Sequence, residues 1–141
     1  MSATNTQFSI AIHLMAGLGY RGCEKVTTSR HLAMSVNTSP SFVRRILSKL
    51  SKAGLVHATP GKAGACLLGK RADKISLLEI YKAVGAPKTF SIHDYPIQKV
   101  CPVSCHIQSA VEGVLGKTQK AFEKSLRKIR LSEVISQIRK R

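Results

Sequence analysis

Residues 26–55 read VTTSRHLAMSVNTSPSFVRRILSKLSKAGL. This stretch predicts two short helices joined by a tight turn. In residues 29–35 the apolar side chains are spaced as on one face of a helix, and the preceding threonines can cap it. Residues 37–40 interrupt the pattern, because Asn tolerates a left-handed backbone and Pro suits the first position of the next helix. This helix-turn-helix arrangement can place its second helix in a DNA major groove.

The second predicted helix, which begins at residue 41, is strongly basic. Its apolar residues recur every three or four positions, and they are Phe42, Val43, Ile46, Leu47 and Leu50. Most of its polar residues fall off that stripe, and they are Arg44, Arg45, Ser48, Lys49 and Lys52. Gly54 has the position of a glycine that ends a helix. An ordinary helical hairpin with a solvated basic face would give the same pattern, so the following segment matters.

Two short strands are predicted directly after the basic helix. They are residues 56–59 and 65–68, and residues 60–64 form a turn with Lys62 at its tip. A helix-turn-helix followed by such a hairpin is a winged helix, so we expect a mainly α fold with a small β-wing. Lys62 would reach phosphate or the minor groove from the wing.

The charge of the chain indicates a polyanionic partner. Its 141 residues fit one domain with an extension, and they carry a formal net charge of +16 with a pI of about 10.3. Before Asp73 the only acidic residue is Glu24. We therefore expect double-stranded DNA to be bound with a steep salt dependence, with RNA and membrane surfaces as competing polyanions.

The sequence also predicts a cytoplasmic protein without a membrane partner. No apolar run approaches the roughly 20 residues that span a bilayer, and the N-terminus MSATNTQF lacks the features of a signal peptide. Cytoplasmic thiols are kept reduced, so any disulfide would be a redox event. The thiols concerned are Cys23, Cys66, Cys101 and Cys105.

The whole chain is predicted to divide into a winged domain at 1–85, a sensor loop at 86–105, and a dimerisation helix and tail at 106–141. The first helix is predicted over residues 8–18, closed by Gly17 and Gly19, and its His13 is expected to be a satisfied core or interface histidine. After the wing, a short helix is predicted over residues 77–84, and it begins with a capping box of Ser76 and Glu79.

The longest helical pattern covers residues 106–129. Its apolar residues keep a spacing of three and four throughout, and a further short helix is predicted around Val134 and Ile138. A helix of about 24 residues would be about 36 Å long, which is too long for one small domain to cover. We therefore expect its stripe to pair with a second subunit, although an intramolecular core helix is the alternative.

The chain resembles the Rrf-two (Rrf2) family of bacterial winged-helix transcriptional regulators, which includes iron–sulfur, nitric-oxide and cysteine regulators. The resemblance covers nearly the whole chain. It is carried by residues 36–40, 44–50, 53–56, 76–84 and 101–103. It implies a homodimer crossed through the long helices, an operator with two half-sites, and transcriptional regulation, usually repression.

The resemblance also implies an alternative cofactor. Cluster-binding members hold an iron–sulfur centre with three loop cysteines, whereas this chain has only Cys101 and Cys105 there. Some members add a histidine of the first helix and an acid four positions earlier; His13 matches that histidine, but Ser9 replaces the acid. No cofactor is therefore expected, and a cluster remains the alternative, because such clusters usually take four ligands, mostly thiolates.

The spacing C-x3-C near a helix N-terminus fits redox sensing by Cys101 and Cys105. The helix end and cations such as Lys99 stabilise a thiolate, which peroxide or another oxidant converts through sulfenic acid to a disulfide. Cys105, Cys23 or Cys66 could be the resolving partner. Two alternatives are inert cysteines under a dimer interface and a zinc site that adds His93 and His106.

The predicted function is a redox-responsive, DNA-binding repressor. Bases would be read by Ser39, Ser41 and Arg44, and phosphates would be held by Thr27, Thr28, Arg45, Lys49 and Lys62. A rival is a constitutive DNA- or RNA-binding protein without a sensor. An enzyme is not expected, because the chain has no glycine-rich phosphate loop and few acidic residues.

Overall fold

The computed structural model describes residues 6–20, 27–59 and 65–141. In these ranges the elements are α1 (Gln7–Tyr20), β1 (Thr27–Thr28), α2 (Ser29–Val36), α3 (Pro40–Lys52), β2 (Val56–Ala58), β3 (Ala65–Leu68), α4 (Leu77–Ala83), α5 (Pro102–Lys128) and α6 (Leu131–Arg139). A short 3-10 turn at Ala72–Lys74 precedes α4. The expected mainly α fold with a small sheet and a long C-terminal helix is confirmed. The predicted contact residue Lys62 and the thiol of Cys23 lie outside the described residues.

The chain forms two compact units. The first consists of Met1–Ala86 together with Leu126–Arg141, and the second of Pro87–Ser125. In the first unit the Leu77 N–H donates to the carbonyl of Ile129, and the Leu131 N–H donates to that of Ile75, both at 2.9 Å. These bonds join the C-terminal segment to the start of α4. The segment that the sequence grouped with the long helix therefore packs with the winged unit.

The sheet has three antiparallel strands in the order β1-β3-β2. Thr27 lies opposite Cys66, and His57 lies opposite Leu67. The two strands of the wing were expected and are confirmed, whereas β1 was not expected. Two residues are too few to show an alternating pattern, and the sequence indicated only caps at these threonines.

Side-chain caps set the geometry of the helix-turn-helix. Thr28 Oγ1 accepts from the N–H of His31 at the start of α2, and Ser39 Oγ accepts from the N–H of Phe42 at the start of α3. Between the helices, Asn37 adopts the left-handed conformation with φ of 69°. The turn therefore closes in three residues, and Pro40 opens α3 where its missing N–H costs nothing.

The core of the first unit is formed by one side of α1, α3, α4 and α6. The sequence had indicated that α1 ends at Gly17 and Gly19, but the helix continues to Tyr20. A Cβ on Gly19 would collide with Ile135 of α6, and a Cβ on Gly17 would lie 3.2 Å from Leu32. These glycines permit close helix packing instead of ending the helix. The capping box of Ser76 and Glu79 is confirmed.

The long helix α5 begins at Pro102, four residues before the predicted start. Proline is favoured in the first helical turn, so the helix takes in Cys105, and Cys101 lies directly before it. The second predicted C-terminal helix is confirmed as α6. None of the helices in the described ranges is both long and apolar enough to cross a membrane.

Candidate DNA-binding surface and cysteine site

The polar side chains of α3 lie in two rows along its exposed side. Residues four apart are neighbours on a helix, so Arg44, Ser48 and Lys52 form one row, and Arg45 and Lys49 form the other. All five are exposed, while the apolar stripe of α3 is buried. No Asp or Glu occurs between residues 27 and 59. The exposed side of α3 is thus a cationic surface without a carboxylate in its own segment.

The first row borders a hollow of about 350 Å³ between α3, the start of α2 and the sheet. Arg44, Ser48 and Lys52 line it on one side, and Cys66 of β3 forms part of its floor. Ser48 and Lys52 were not among the predicted contact residues. Ser48 lies four positions and Lys52 eight positions after Arg44, and this spacing was a signal that could have indicated them.

The second row is held by neighbours on α3 and α1. The guanidinium of Arg45 lies 5.4 Å from the ring centroid of Phe42, a cation–π distance. Lys49 Nζ donates to Oε1 of Gln7 at 2.9 Å, close to the start of α1. These contacts orient both cations while leaving them exposed.

The predicted hydroxyl contacts differ in their accessibility. Ser41 and Ser39 are exposed at the start of α3, where their hydroxyls lie 3.4 Å apart. Thr28 is half-buried and caps α2. Thr27 is only 2% exposed, and its hydroxyl has no hydrogen-bond partner among the described residues. A phosphate contact needs an accessible donor, so Thr27 does not belong in the contact set.

In the second unit the two thiols lie at the start of α5. The N–H of Ser104 points to Sγ of Cys101 at 3.5 Å, which places Cys101 where a capping residue accepts a hydrogen bond. Sγ of Cys105 donates to the carbonyl of Lys99 at 3.5 Å. Cys101 is partly exposed and Cys105 is exposed. Both thiols are therefore accessible to a small oxidant.

The connection before α5 is tied to the helix rather than free. Gln98 N–H donates to Ser104 Oγ at 2.8 Å, the Gln108 amide donates to the carbonyl of His93 at 3.2 Å, and Thr89 N–H donates to Gln119 at 2.9 Å. Residues progressively earlier in the connection are therefore bonded to residues progressively later in α5. The connection thus runs antiparallel to α5.

The zinc and iron–sulfur alternatives both require several ligands in one place. In the ranges that the structure covers, no group of three or more His, Cys, Asp or Glu side chains is placed to hold a metal. The zinc set suggested by the sequence is not assembled, and His93 instead lies beside the ring of Tyr95 at 6.0 Å. Two thiols fall short of the four ligands that such clusters usually take.

The other candidate side chains have local roles. Cys66 is buried on β3, and burial raises the pKa of its thiol, which disfavours the reactive thiolate. His13 has a partner, as expected, because its Nε2 lies 2.9 Å from Oγ of Ser35. It is exposed, however, and is not a core residue.

A winged helix with a basic recognition helix defines a class of DNA-binding proteins, and comparison with known proteins identifies the family. Residues 4–137 match the family described as "Rrf2: Iron-dependent Transcriptional regulator", and the chain belongs to this family. YwnA of Bacillus subtilis, provisionally named an HTH-type transcriptional regulator, is 36% identical over 135 residues, which are 95% of this chain and 98% of YwnA.

Solved structures share the fold. A crystal structure of a provisionally described DNA-binding protein is 34% identical with a TM-score of 0.73, covering 92% of this chain and 98% of that one. CymR, the global cysteine regulator of B. subtilis, is 20% identical with a TM-score of 0.70, covering 96% and 98%, and shows the fold alone. The resemblance noted in the sequence is confirmed. The protein is a DNA-binding transcriptional regulator, and the family and its named relatives are regulators, not enzymes.

Proposed function

We propose that the protein is a homodimeric repressor whose operator binding responds to oxidation at Cys101 and Cys105. The observation that supports DNA binding most directly is the cationic exposed side of α3. Its two rows comprise four cations, and no acidic residue occurs within residues 27–59. Binding to chromosomal DNA implies a cytoplasmic location.

In the proposed complex α3 enters the major groove. Ser39, Ser41 and Arg44 lie at its N-terminal half, the part of a recognition helix that contacts base edges. The second row, Arg45 and Lys49, holds phosphate, and Lys52 continues the first row toward the backbone. Thr28 and Lys62 complete the proposed set.

Two subunits are proposed to pair through α5. Exposed apolar or small residues lie along one side of this helix, namely Val103, Ala110, Val114, Thr118 and Ala121. Val103 and Val114 are 66% and 64% exposed within one chain. Apolar helical stripes are normally buried, and small side chains allow helices to approach closely. A second copy of α5 would cover this side.

The proposed switch is a two-electron oxidation of the paired thiols by a peroxide. The thiolate of Cys101 attacks a peroxide oxygen, the O–O bond breaks, and sulfenic acid and hydroxide form; the hydroxide takes a proton to become water. The thiol of Cys105 then attacks the sulfenic sulfur, a disulfide forms, and a second water leaves. Cys105 N–H donates to the carbonyl of Cys101 at 3.1 Å, so the two cysteines lie one turn apart at the start of α5. The disulfide requires their Cβ atoms to approach to about 4 Å.

The disulfide would alter the start of α5. Cys105 would lose its S–H and with it the hydrogen bond to the carbonyl of Lys99, and Sγ of Cys101 would have to turn from the N–H of Ser104 toward Cys105. Because α5 runs on to the segment that packs with the winged unit, we propose that this change alters the spacing of the two recognition helices.

A gel-shift titration with and without peroxide tests the proposal. The duplex is one selected from a random-sequence library by the reduced protein. We expect peroxide to weaken DNA binding by the wild-type protein and by the Cys66→Ser control, but not by Cys101→Ser. Dithiothreitol should restore the binding that peroxide weakened. Equal affinity of reduced and oxidised wild-type protein, with thiol loss verified, would refute the switch and favour a constitutive DNA-binding protein.

A further inference from the structure

A second cavity lies in the first unit, and its lining comes from other elements than the proposed DNA-binding surface. It measures about 540 Å³ and lies between the C-terminal end of α1, β3, the connection that follows β3, and α6. Its volume falls within the range of about 300–1,000 Å³ that is typical of small-molecule sites. Neither the recognition helix nor the proposed switch cysteines contribute to it.

This cavity continues into a neighbouring one of about 340 Å³. The two share Gly19, Ala72 and Ser132 in their walls, and the second is also lined by α6 residues such as Ile135. We refer to the combined space as the α1–α6 groove. The combined volume is sufficient for an elongated small molecule lying along α6.

The floor of the groove is apolar. Leu18 of α1 and Leu67 and Leu68 of β3 line the first cavity, and Ile135 lines the second. Leu67 and Leu68 are only partly buried, so they leave apolar surface in contact with solvent. Covering this surface would contribute about 25 cal/mol per Å² of apolar area removed from water.

The rim of the groove is cationic. Among the described residues, four cations contribute to its walls, namely Lys70, Arg71, Arg139 and Lys140, and one carboxylate does, that of Asp73. Lys70 is paired with Glu79 at 2.7 Å, and Arg71 with Asp73 at 2.8 Å. Even with both carboxylates counted, the four cations leave an excess positive charge of two around an apolar floor.

We propose that the α1–α6 groove binds a small amphipathic carboxylate with a medium-length acyl or aryl body. The apolar body lies against Leu18, Leu67 and Leu68. The carboxylate lies at the rim among Arg71, Arg139 and Lys140. An uncharged ligand would leave Arg139 and Lys140 without a carboxylate partner among the described residues, although Arg139 already donates to the carbonyl of Tyr20 at 3.1 Å. A fully polar anion would leave the leucines exposed to water.

The groove offers a route to regulation, which rests on the proposed DNA-binding function. Leu67 and Leu68 belong to β3, and β3 pairs with both other strands of the wing sheet. A ligand packed against these leucines would favour one position of the wing. The ligand would therefore change operator affinity without reaction at any cysteine.

Binding is tested on the full-length reduced protein without DNA. The probe is the anionic aryl dye 8-anilinonaphthalene-1-sulfonate, displaced by octanoate and, as the uncharged control, by 1-octanol. We expect saturable dye fluorescence, displacement by octanoate, and an affinity for octanol that is weaker by about tenfold, equivalent to 1.4 kcal/mol.

Two pairs of variants locate the site. Ser132→Phe places a ring in the groove and should abolish displaceable dye binding, whereas Gln137→Phe, exposed on the same helix, should retain it. Arg71→Gln should weaken octanoate by about three- to tenfold, whereas Lys120→Gln on α5 should not. If Ser132→Phe does not fold, as judged by circular dichroism, Ala72→Met serves the same purpose.

Other outcomes would overturn the proposal. Unchanged dye binding in the groove variants would place the dye elsewhere, and equal affinity for octanoate and octanol would remove the role of the cations. A change in sedimentation coefficient with Ser132→Phe alone would mean that a second copy occupies the groove. Because these measurements use no DNA, they can fail while the repressor proposal stands.

Discussion

At the scale of single residues, the exposed side of α3 separates two kinds of contact. Arg44 belongs to the row that lines the hollow beside the sheet, whereas Lys49 is held toward α1 by Gln7. Arginine suits bidentate contact with guanine, and lysine acts on phosphate as a point charge. The two residues should therefore fail in different ways when they are removed.

Arg44→Ala should lower operator affinity by about ten- to hundredfold and relax sequence preference at one base position. Lys49→Ala should weaken binding to all duplexes similarly and reduce the slope of log affinity against log salt by about one. Fluorescence anisotropy at several salt concentrations measures both effects, with Lys74→Ala as the control for a lost cation. Identical behaviour of the two variants would contradict the assignment.

Glu79 gives a pH prediction. Partial burial by itself raises the pKa of the Glu79 carboxyl. Hydrogen bonds from Lys70 and the Ser76 N–H, together with the charge of Lys70, outweigh this effect, so the pKa is lowered overall. A carboxyl that is more acidic when folded stabilises the fold above its unfolded pKa, and this contribution is lost as pH falls through the folded pKa.

Wild-type protein should therefore lose more stability than Glu79→Gln between about pH 6 and pH 3. Urea unfolding at fixed protein concentration measures this, with exposed Glu112→Gln as the matched control. An identical pH dependence of wild type and Glu79→Gln would show that the capping box and the pairing with Lys70 do not set the acid sensitivity.

At the scale of elements, the predictions that succeeded rest on local chemistry. The turn at Asn37, the proline at the start of α3 and the capping box at Ser76 each follow from the residues beside them. The features that were missed depend on distant partners. Gly19 was interpreted as a helix end because a glycine near the end of an apolar pattern often has that role. Its contact with Ile135, which is over 100 positions away in the sequence, is invisible to local patterns, and so is the pairing with β3 that buries Thr27.

The close approach at Gly19 gives a second stability prediction. Gly19→Ala should destabilise the protein by about 1–3 kcal/mol, because the new Cβ would displace the end of the Ile135 side chain, which is buried and has little room to move. Gly116→Ala, in an open position of α5, should instead stabilise by about 0.5–1 kcal/mol through helix propensity. Chemical denaturation compares the two. A neutral or stabilising Gly19→Ala would contradict the packing of α1 on α6.

At the scale of the whole molecule, the exposed side of α5 is the surface that the proposed second subunit would cover. The sequence indicated this stripe, and the structure divides it. Val111, Leu115 and Phe122 are half-buried, while Val103 and Val114 remain exposed. The sequence alone could not make this division, because it depends on the connection that lies antiparallel to the helix. Redox sensing by Cys101 and Cys105 stays a prediction, since their spacing is compatible with several chemistries.

Val114→Glu should weaken the proposed dimer by about tenfold or more, because it places a charge in an apolar contact. Ser109→Glu is the matched control, since it lies about 140° around the same helix. Sedimentation equilibrium over a range of concentrations gives the dissociation constants. Equal self-association of the two variants would place the subunit contact on another surface.

The central claim is that a pair of α3 helices reads an operator with two half-sites. Sedimentation velocity of the reduced protein with its selected duplex, at low salt, measures the stoichiometry directly. We predict two protomers per duplex, as expected for half-sites about one helical turn apart, and a complex weakened by about ten- to hundredfold with Arg44→Ala. A monomer on the duplex, or no binding at low salt, would contradict the account.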